Sequence, residues 1–257
     1  MNNLSPSALA RKAGISEETL SVFEATGATG ADLNYSNLAG LAGLNPQKLE
    51  RIAKGWLPNK GDLNRWHELR VFTTREKDMS VNCFLTWDPA TREAALFDTG
   101  LDAQPVLNVI VGERLLLRHI FITHTHWDHV EAMPKFRAAW PEAQLHSSSR
   151  NVPARQRNQP GEVISLGALS ISHRETPGHA EDGVTYLVNG WPDNAPQVAI
   201  VGDAIFAGSI GRGNQSWDLA REKVREHILS LPPETLICPG HGPVTTVGEE
   251  QENNPFF

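Results

Sequence analysis

A chain of 257 residues that is 40% hydrophobic and 21% charged, with 21 glycines and 17 prolines, has an ordinary globular composition, which excludes a disordered or collagen-like polymer. Its formal charge of −7, from 23 basic and 30 acidic side chains, offers no global attraction to phosphate polymers. The two cysteines, Cys83 and Cys238, lie far apart and form no C-x-x-C, which excludes a disulfide scaffold and argues against zinc held by thiolates. No apolar run approaches the roughly 20 residues of a membrane span, and Met1 to Ala10 lacks a basic-then-apolar leader, so a cytoplasmic chain with no membrane partner is expected.

In chain order, the first 55 residues hold an imperfect repeat: Leu9, Ala10, Ala13, Gly14, Ile15, Ser16 and Leu20 are echoed by Leu38, Ala39, Ala42, Gly43, Leu44, Asn45 and Leu49. Each copy reads as helix, turn, helix. Gly14 or Gly43 stops the first helix, Ser16 or Asn45 caps the next, and Pro46 takes a first-turn position. Periodicity breaks at Pro58, Asn59, Gly61 and Asp62, which sets a boundary between a helical module of residues 1–60 and a larger domain of residues 61–257. Alternating strands follow at 69–73, 81–88 and 94–97, with a turn at Asp88-Pro89-Ala90. Beyond them the pattern predicts a helix over 103–111, a strand over 117–122 and a helix around 129–140. Strands near 162–171, 184–188 and 198–201 come next, then a helix over 218–231 with Ala220, Val224, Ile228 and Leu231 on one face, and a strand at 235–238. The class is mixed α/β.

The densest chemistry is His124-Thr125-His126-Trp127-Asp128-His129, directly after an apolar strand. Random placement would produce this H-x-H-x-D-H spacing in roughly 6 in 10,000 such chains. A loop at a strand end can turn alternate side chains the same way, so that His124 and His126 grip one cation while Asp128 and His129 face a second; imidazole and carboxylate suit zinc or iron. Three weaker pieces follow later predicted strands: Thr176-Pro177-Gly178-His179, Val201-Gly202-Asp203 and Pro239-Gly240-His241-Gly242. His67, His119, His146, His173 and His227 lie outside these motifs and are expected to be surface or structural. Cys83 and Cys238 sit in apolar strand-like segments as buried thiols, not nucleophiles.

As an ordered set these motifs resemble the metallo-β-lactamase superfamily, in its glyoxalase II-like (hydroxyacylglutathione hydrolase-like) branch. The resemblance covers about residues 70–257 and includes Asp98-Thr99-Gly100, Phe206 through Arg212, Leu231 through Thr235, and the closing run from Pro239 to Phe256. It implies a four-layer αβ/βα sandwich with a small all-α N-terminal module. It also implies two divalent metal ions, zinc first and iron or manganese as alternatives. His124, His126 and His179 would hold one, Asp128, His129 and His241 the other, and Asp203 would bridge them. Asp128 and Asp203 are the carboxylates assigned to catalysis. The implied activity is a metal-dependent hydrolase using a metal-bridged hydroxide on a small thioester or acyl ester. The chain departs from glyoxalase II proper in stopping at Phe257, where that enzyme continues into helices that contact glutathione, and in having Gly213-Asn214 after Arg212 in place of an acidic residue. Trp127 and Phe206 flank ligands; packing is the favoured reading for both, and walling the pocket is the alternative.

Two other readings compete. The same centre could act on a lactone or a phosphodiester, the latter supported if basic residues cluster in the groove. A different class is a metal- or metabolite-sensing DNA-binding regulator built on the N-terminal repeat. Residues 1–66, however, carry seven basic against six acidic side chains, too small an excess for phosphate binding, so nucleic acid is not an expected partner. The apolar Leu9, Leu20, Phe23, Leu38, Leu41, Leu49, Ile52 and Trp56 point instead to a module that packs on the larger domain or on a second copy. Its removal is expected to leave the metal ligands little affected.

Overall fold

The computed structural model describes residues 5–26, 34–59 and 63–257. The N-terminal helices are α1 (Pro6–Ala13), α2 (Glu17–Thr26), α3 (Tyr35–Ala42) and α4 (Pro46–Ala53). The expected punctuation is present. Gly14 and Gly43 end α1 and α3 in the left-handed region, and the Asn45 side chain accepts from the backbone N–H groups of Gln47 and Lys48 at the start of α4. Buried Ala10, Leu20 and Leu38 form a small core with Leu9, Phe23, Tyr35 and Leu49. The boundary residues Gly61 and Asp62 lie outside the described residues.

Two sheets follow. The first has the order β1 (Leu69–Glu76), β2 (Met79–Trp87), β3 (Glu93–Phe97), β4 (Leu116–Phe121), β5 (Gln144–His146); it is antiparallel through β3 and parallel after it. The parallel steps need crossovers, supplied by α5 (Gln104–Gly112) between β3 and β4, and by α6 (Trp127–Val130) and α7 (Met133–Ala139) between β4 and β5. The second sheet is built from β6 (Ile164–Leu166), β7 (Leu169–Glu175), β8 (Val184–Asn189), β9 (Val198–Gly202), β12 (Leu236–Pro239) and β13 (Thr245–Thr246), in the order β13-β12-β9-β8-β7-β6. Between β9 and β12 lie β10 (Ile205–Phe206), β11 (Ser209–Ile210) and α8 (Trp217–His227), and α9 (Val247–Asn253) closes the chain.

Burial shows the layering. Phe84, Phe97 and Phe121 of the first sheet meet Ile171, Tyr186, Val188 and Ile200 of the second in one core. The outer face of the first sheet packs Leu85, Leu96 and Ile120 on Val106 and Ile110 of α5 and Phe136 of α7. The outer face of the second packs Leu187, Ala199 and Ile237 on Ala220 and Val224 of α8 and Val247 of α9. Strands that bury both faces read as apolar runs, which is why β2, β8 and β9 were visible in the sequence. This is the four-layer αβ/βα sandwich.

Three expected elements differ in detail. The helix around 129–140 is two helices, α6 and α7, with Pro134 in the first turn of α7. The strand near 162–171 is the β6–β7 hairpin, folded at Gly167 and paired Leu166 to Leu169. The helix over 218–231 ends at His227, although Ile228 and Leu231 still enter the same core.

Candidate metal centre

β4 ends at Phe121, and the loop after it carries Thr123, His124 and His126 to the edge where the two sheets meet. His126 is the extended N-cap of α6, whose first turn presents Asp128 and His129. His179 follows β7, Asp203 follows β9 and His241 follows β12. All seven sequence-predicted residues therefore lie at strand ends on one rim. Their ligand atoms fall into three groups, His124/His126/His179, His124/His129/Asp203 and Asp128/His129/His241, with the atoms of each group within 4.8 Å of one another.

In the first group His124 Nε2 and His126 Nδ1 are 3.0 Å apart, and His126 Nδ1 and His179 Nε2 3.1 Å. Those separations approach the edge of about 3.3 Å expected between nitrogens tetrahedrally disposed around zinc. In the third, His241 Nε2 lies 3.3 Å from Asp128 Oδ2. Asp203 reaches both the first and the third: Oδ2 is 3.4 Å from His179 Nε2 and 3.4 Å from His241 Nε2, while Oδ1 is 3.3 Å from His129 Nε2.

His129 Nε2 and Asp203 Oδ1 are buried and face each other at 3.3 Å without a well-formed hydrogen bond to any group. Buried polar atoms left that way are costly, and a cation that displaced the imidazole proton and bound both atoms would offset the cost. Together with an all-imidazole triad, they make the residues present a fit for divalent metal.

Three of the imidazoles are turned toward this space by a bond at the other nitrogen. His129 Nδ1 pairs with Asp98 Oδ2 at 2.8 Å, His179 Nδ1 with the Arg212 carbonyl at 3.0 Å, and His241 Nδ1 with the Ser80 carbonyl at 2.5 Å. Asp98 is buried, and its two oxygens also take the Thr123 N–H and hydroxyl, so it joins the end of β3 to the histidine-bearing loop. The Asn82 side chain on β2 donates to the carbonyls of Pro239 and Gly242, which fixes the His241 loop. Asp182 similarly accepts from the N–H and hydroxyl of Thr125. At Gly240 a Cβ would stand 2.3 Å from Asp203 Oδ1 and 2.6 Å from His129 Cε1, so the Pro-Gly-His motif carries glycine because the site leaves no room there.

Electrostatically the centre divides. Burial pushes His129 down, but Asp98 and Asp203 override it and raise the imidazole to about 10. His241 is likewise raised to about 10, because Asp128 and Asp203 outweigh burial. Burial holds His124 well below its ordinary value and lowers His179. Burial works against the Asp203 carboxylate, yet His129 and His241 hold it well below the usual range. Asp128 is lowered in the same sense by His241. Protons are thus drawn to the side where carboxylates gather, while burial favours the neutral, ligating form of His124 and His179.

Beside His241 opens a groove of about 760 Å³ lined by the β1–β2 turn, Glu76 to Ser80, and by Trp127. Trp127 is 50% exposed and Met79 40%, so the favoured packing reading of Trp127 is corrected: it sits on the rim of the site as a wall. Phe206 is half-buried, with its ring 5.8 Å from that of His241. A second, polar cleft of about 480 Å³ lies on the His126 side, between residues 148–151 and 180–182.

Asp98 belongs to a sequence motif that by itself assigns it no role, and Ser80, Asn82 and Asp182 lie outside every motif. Two of the contacts run through backbone carbonyls, of Ser80 and Arg212, which residue type cannot signal. The remaining histidines and the cysteines behave as expected. His119 Nδ1 and His146 Nε2 pair at 3.0 Å, and His146 stacks on Phe121 with its pKa lowered to about 4 by burial. Both thiols are buried and raised by desolvation.

No helix among the described residues is long and apolar enough to cross a membrane. Residues 77–241 match the family model described as the metallo-beta-lactamase superfamily. The hydroxyacylglutathione hydrolase GloC of Haemophilus influenzae is 29% identical over 201 residues, 68% of this chain and 92% of that one. Among solved structures, BLEG-1 B3 metallo-beta-lactamase is 27% identical with a TM-score of 0.62, over 73% of this chain and 99% of that one. TTHA1623, solved in a di-iron-bound form, is 26% identical with a TM-score of 0.55, over 73% of this chain and all (100%) of that one. With its fold, its matched segment and these relatives in agreement, this chain belongs to the metallo-β-lactamase superfamily and resembles glyoxalase II-like hydrolases.

Proposed function

We propose that this protein is a dinuclear metal-dependent hydrolase acting on small thioesters or acyl esters, organised as a helical module of residues 1–60 and a catalytic domain of residues 61–257. The observation that carries the reading is the pair of orphaned atoms, His129 Nε2 and Asp203 Oδ1, set between an imidazole triad and an Asp-His-His triad. In this reading His124, His126 and His179 would hold one divalent ion and Asp128, His129 and His241 the other, with Asp203 available to either. The di-iron form of TTHA1623 supports two ions per site, and the imidazole-rich donor set favours zinc, with iron and manganese as the alternatives.

Two such ions supply electrophilic polarisation of a substrate carbonyl and acidify a water near neutral pH. The chain's own residues do the rest. Asp128, ionised through its contact with His241, orients the attacking water through its second oxygen and accepts its proton. Asp203 balances the positive charge of the two groups, and Asp98 keeps His129 Nε2 facing inward by fixing its tautomer. Trp127 and Met79 give the groove beside His241 an apolar wall suited to an acyl chain, and the polar cleft on the His126 side suits a hydrophilic leaving group. The β1–β2 turn places Lys77 between Glu76 and Asp78, so the groove offers no basic cluster for a phosphodiester.

A screen of acyl thioesters, lactones and phosphodiesters with metal-reconstituted protein tests this. Turnover confined to thioesters and acyl esters is expected. Turnover confined to phosphodiesters would overturn it.

A further inference from the structure

The hairpin β10–β11 has two residues per strand, paired Ile205 to Ile210 and Phe206 to Ser209, and joins neither large sheet. So short a ribbon cannot hold its own shape in water. It nevertheless spans the most constrained part of the site. Asp203 lies two residues before it, Phe206 lies against His241, and the chain leaving it delivers the Arg212 carbonyl that orients His179. Ile205 and Ile210 anchor its strands in the core under α8, and the geometry of its turn comes from what grips it there.

Two elements do. From α9, Glu250 Oε2 accepts the Gly208 N–H at 2.9 Å, and Asn254, just after that helix, donates to the Ser209 carbonyl at 2.8 Å. From the N-terminal module, α4 and the segment just after it lie on the turn itself: a Cβ at Gly208 would stand 2.5 Å from Ile52 Cδ1 on the helix and 3.2 Å from Trp56 Cζ3 beyond its end. Gly208 has φ +69° and no side chain, and both features let α4 approach this closely. The helix is tied down around that contact. The Asn45 N–H donates to the Pro255 carbonyl, Lys48 Nζ to the carbonyls of Gln251 and Phe257, and Arg51 to Asn253 Oδ1. Leu49, meanwhile, faces the module's own core.

We propose that α4 of the N-terminal module positions the metal centre. Ile52 and Trp56 clamp the β10–β11 turn, and through it they hold Asp203, Phe206 and the Arg212 carbonyl in register with His179 and His241. The module is then part of the machinery and not only a packing unit, which revises the expectation that its loss spares the ligands. The inference rests on the metal-centre reading.

The test is the affinity of the full-length, metal-free protein for zinc, measured by chelator competition alongside thermal melting. Ile52→Ala/Trp56→Ala should weaken at least one of the two zinc equivalents by about tenfold, the scale seen when a group supporting a ligand is lost. The conservative Ile52→Val/Trp56→Phe should restore parental affinity. Lys54→Ala, whose partner Glu50 is on the same helix, should change nothing. If the alanine pair melts earlier but binds both equivalents as tightly as the parent, the module only packs and the proposal falls. If that variant does not fold, Gly208→Ala decides, since it pushes on the same contact from the hairpin side; parental affinity there overturns the proposal and a tenfold loss supports it. A parent chain that takes up no zinc would instead overturn the metal-centre reading, and with it this inference.

Discussion

His129 Nδ1 and Asp98 Oδ2 are 2.8 Å apart in a fully buried pair, so His129 keeps its other nitrogen directed at Asp203. Asp98 achieves this from φ +55°, an unfavourable conformation for a residue with a side chain, which points to a site worth its strain. Asp98→Asn should weaken zinc binding by about 10- to 100-fold while the fold persists. Chelator competition checks it, and unchanged affinity would remove Asp98 from the account.

Asp128→Ala and Asp203→Ala should each lower turnover of a model thioester by orders of magnitude with circular dichroism unchanged, since both carboxylates sit on the rim, outside the inter-sheet core. Retention of most of the turnover by either variant would show that its assigned role is wrong.

Metal uptake should release protons. With His129 and His241 raised to about 10, both are protonated at pH 7 in the metal-free protein, and a cation must displace those protons to bind. Affinity should therefore rise with pH up to about 10, and calorimetric titration with zinc in buffers of different ionisation enthalpy should report about two protons released at pH 7. Binding without proton release would contradict the charge distribution described.

Asp88 governs a distant piece of the fold. Its Oδ1 accepts the N–H groups of Ala90 and Thr91, and its Oδ2 that of Ala168, which ties the β2–β3 turn to the β6–β7 turn. Burial raises its pKa, but these donors outweigh burial and hold it below the ordinary 3.8. Because the folded value is the lower one, the stabilisation is fully present above about pH 4 and is lost as pH falls through the folded pKa. Asp88→Ala should cost about 1 to 3 kcal/mol at pH 7, and Asp88→Asn should flatten the acid limb of stability. Urea melts between pH 2 and 7 would show this, and an unchanged acid limb in Asp88→Asn would refute it.

The seven converging side chains were legible because imidazole and carboxylate at strand ends are rare and recur in a fixed order. Buried strands such as β8 and β9 were legible because both faces are apolar. The short pieces were not: β5, β10, β11 and β13 hold two or three residues each, too few to show a period. The carbonyls of Ser80 and Arg212 were invisible for another reason, since any residue supplies one. The reach of α4 to Gly208 depends on how two halves of the chain dock, which no local pattern encodes.

The most direct test of the dinuclear centre is elemental analysis of protein loaded with excess metal and then desalted, for the parent and for His241→Ala. The account predicts two equivalents per chain in the parent and about one in the variant, because His241 belongs to one group of ligands and His124, His126 and His179 to the other. One equivalent in both proteins would contradict it.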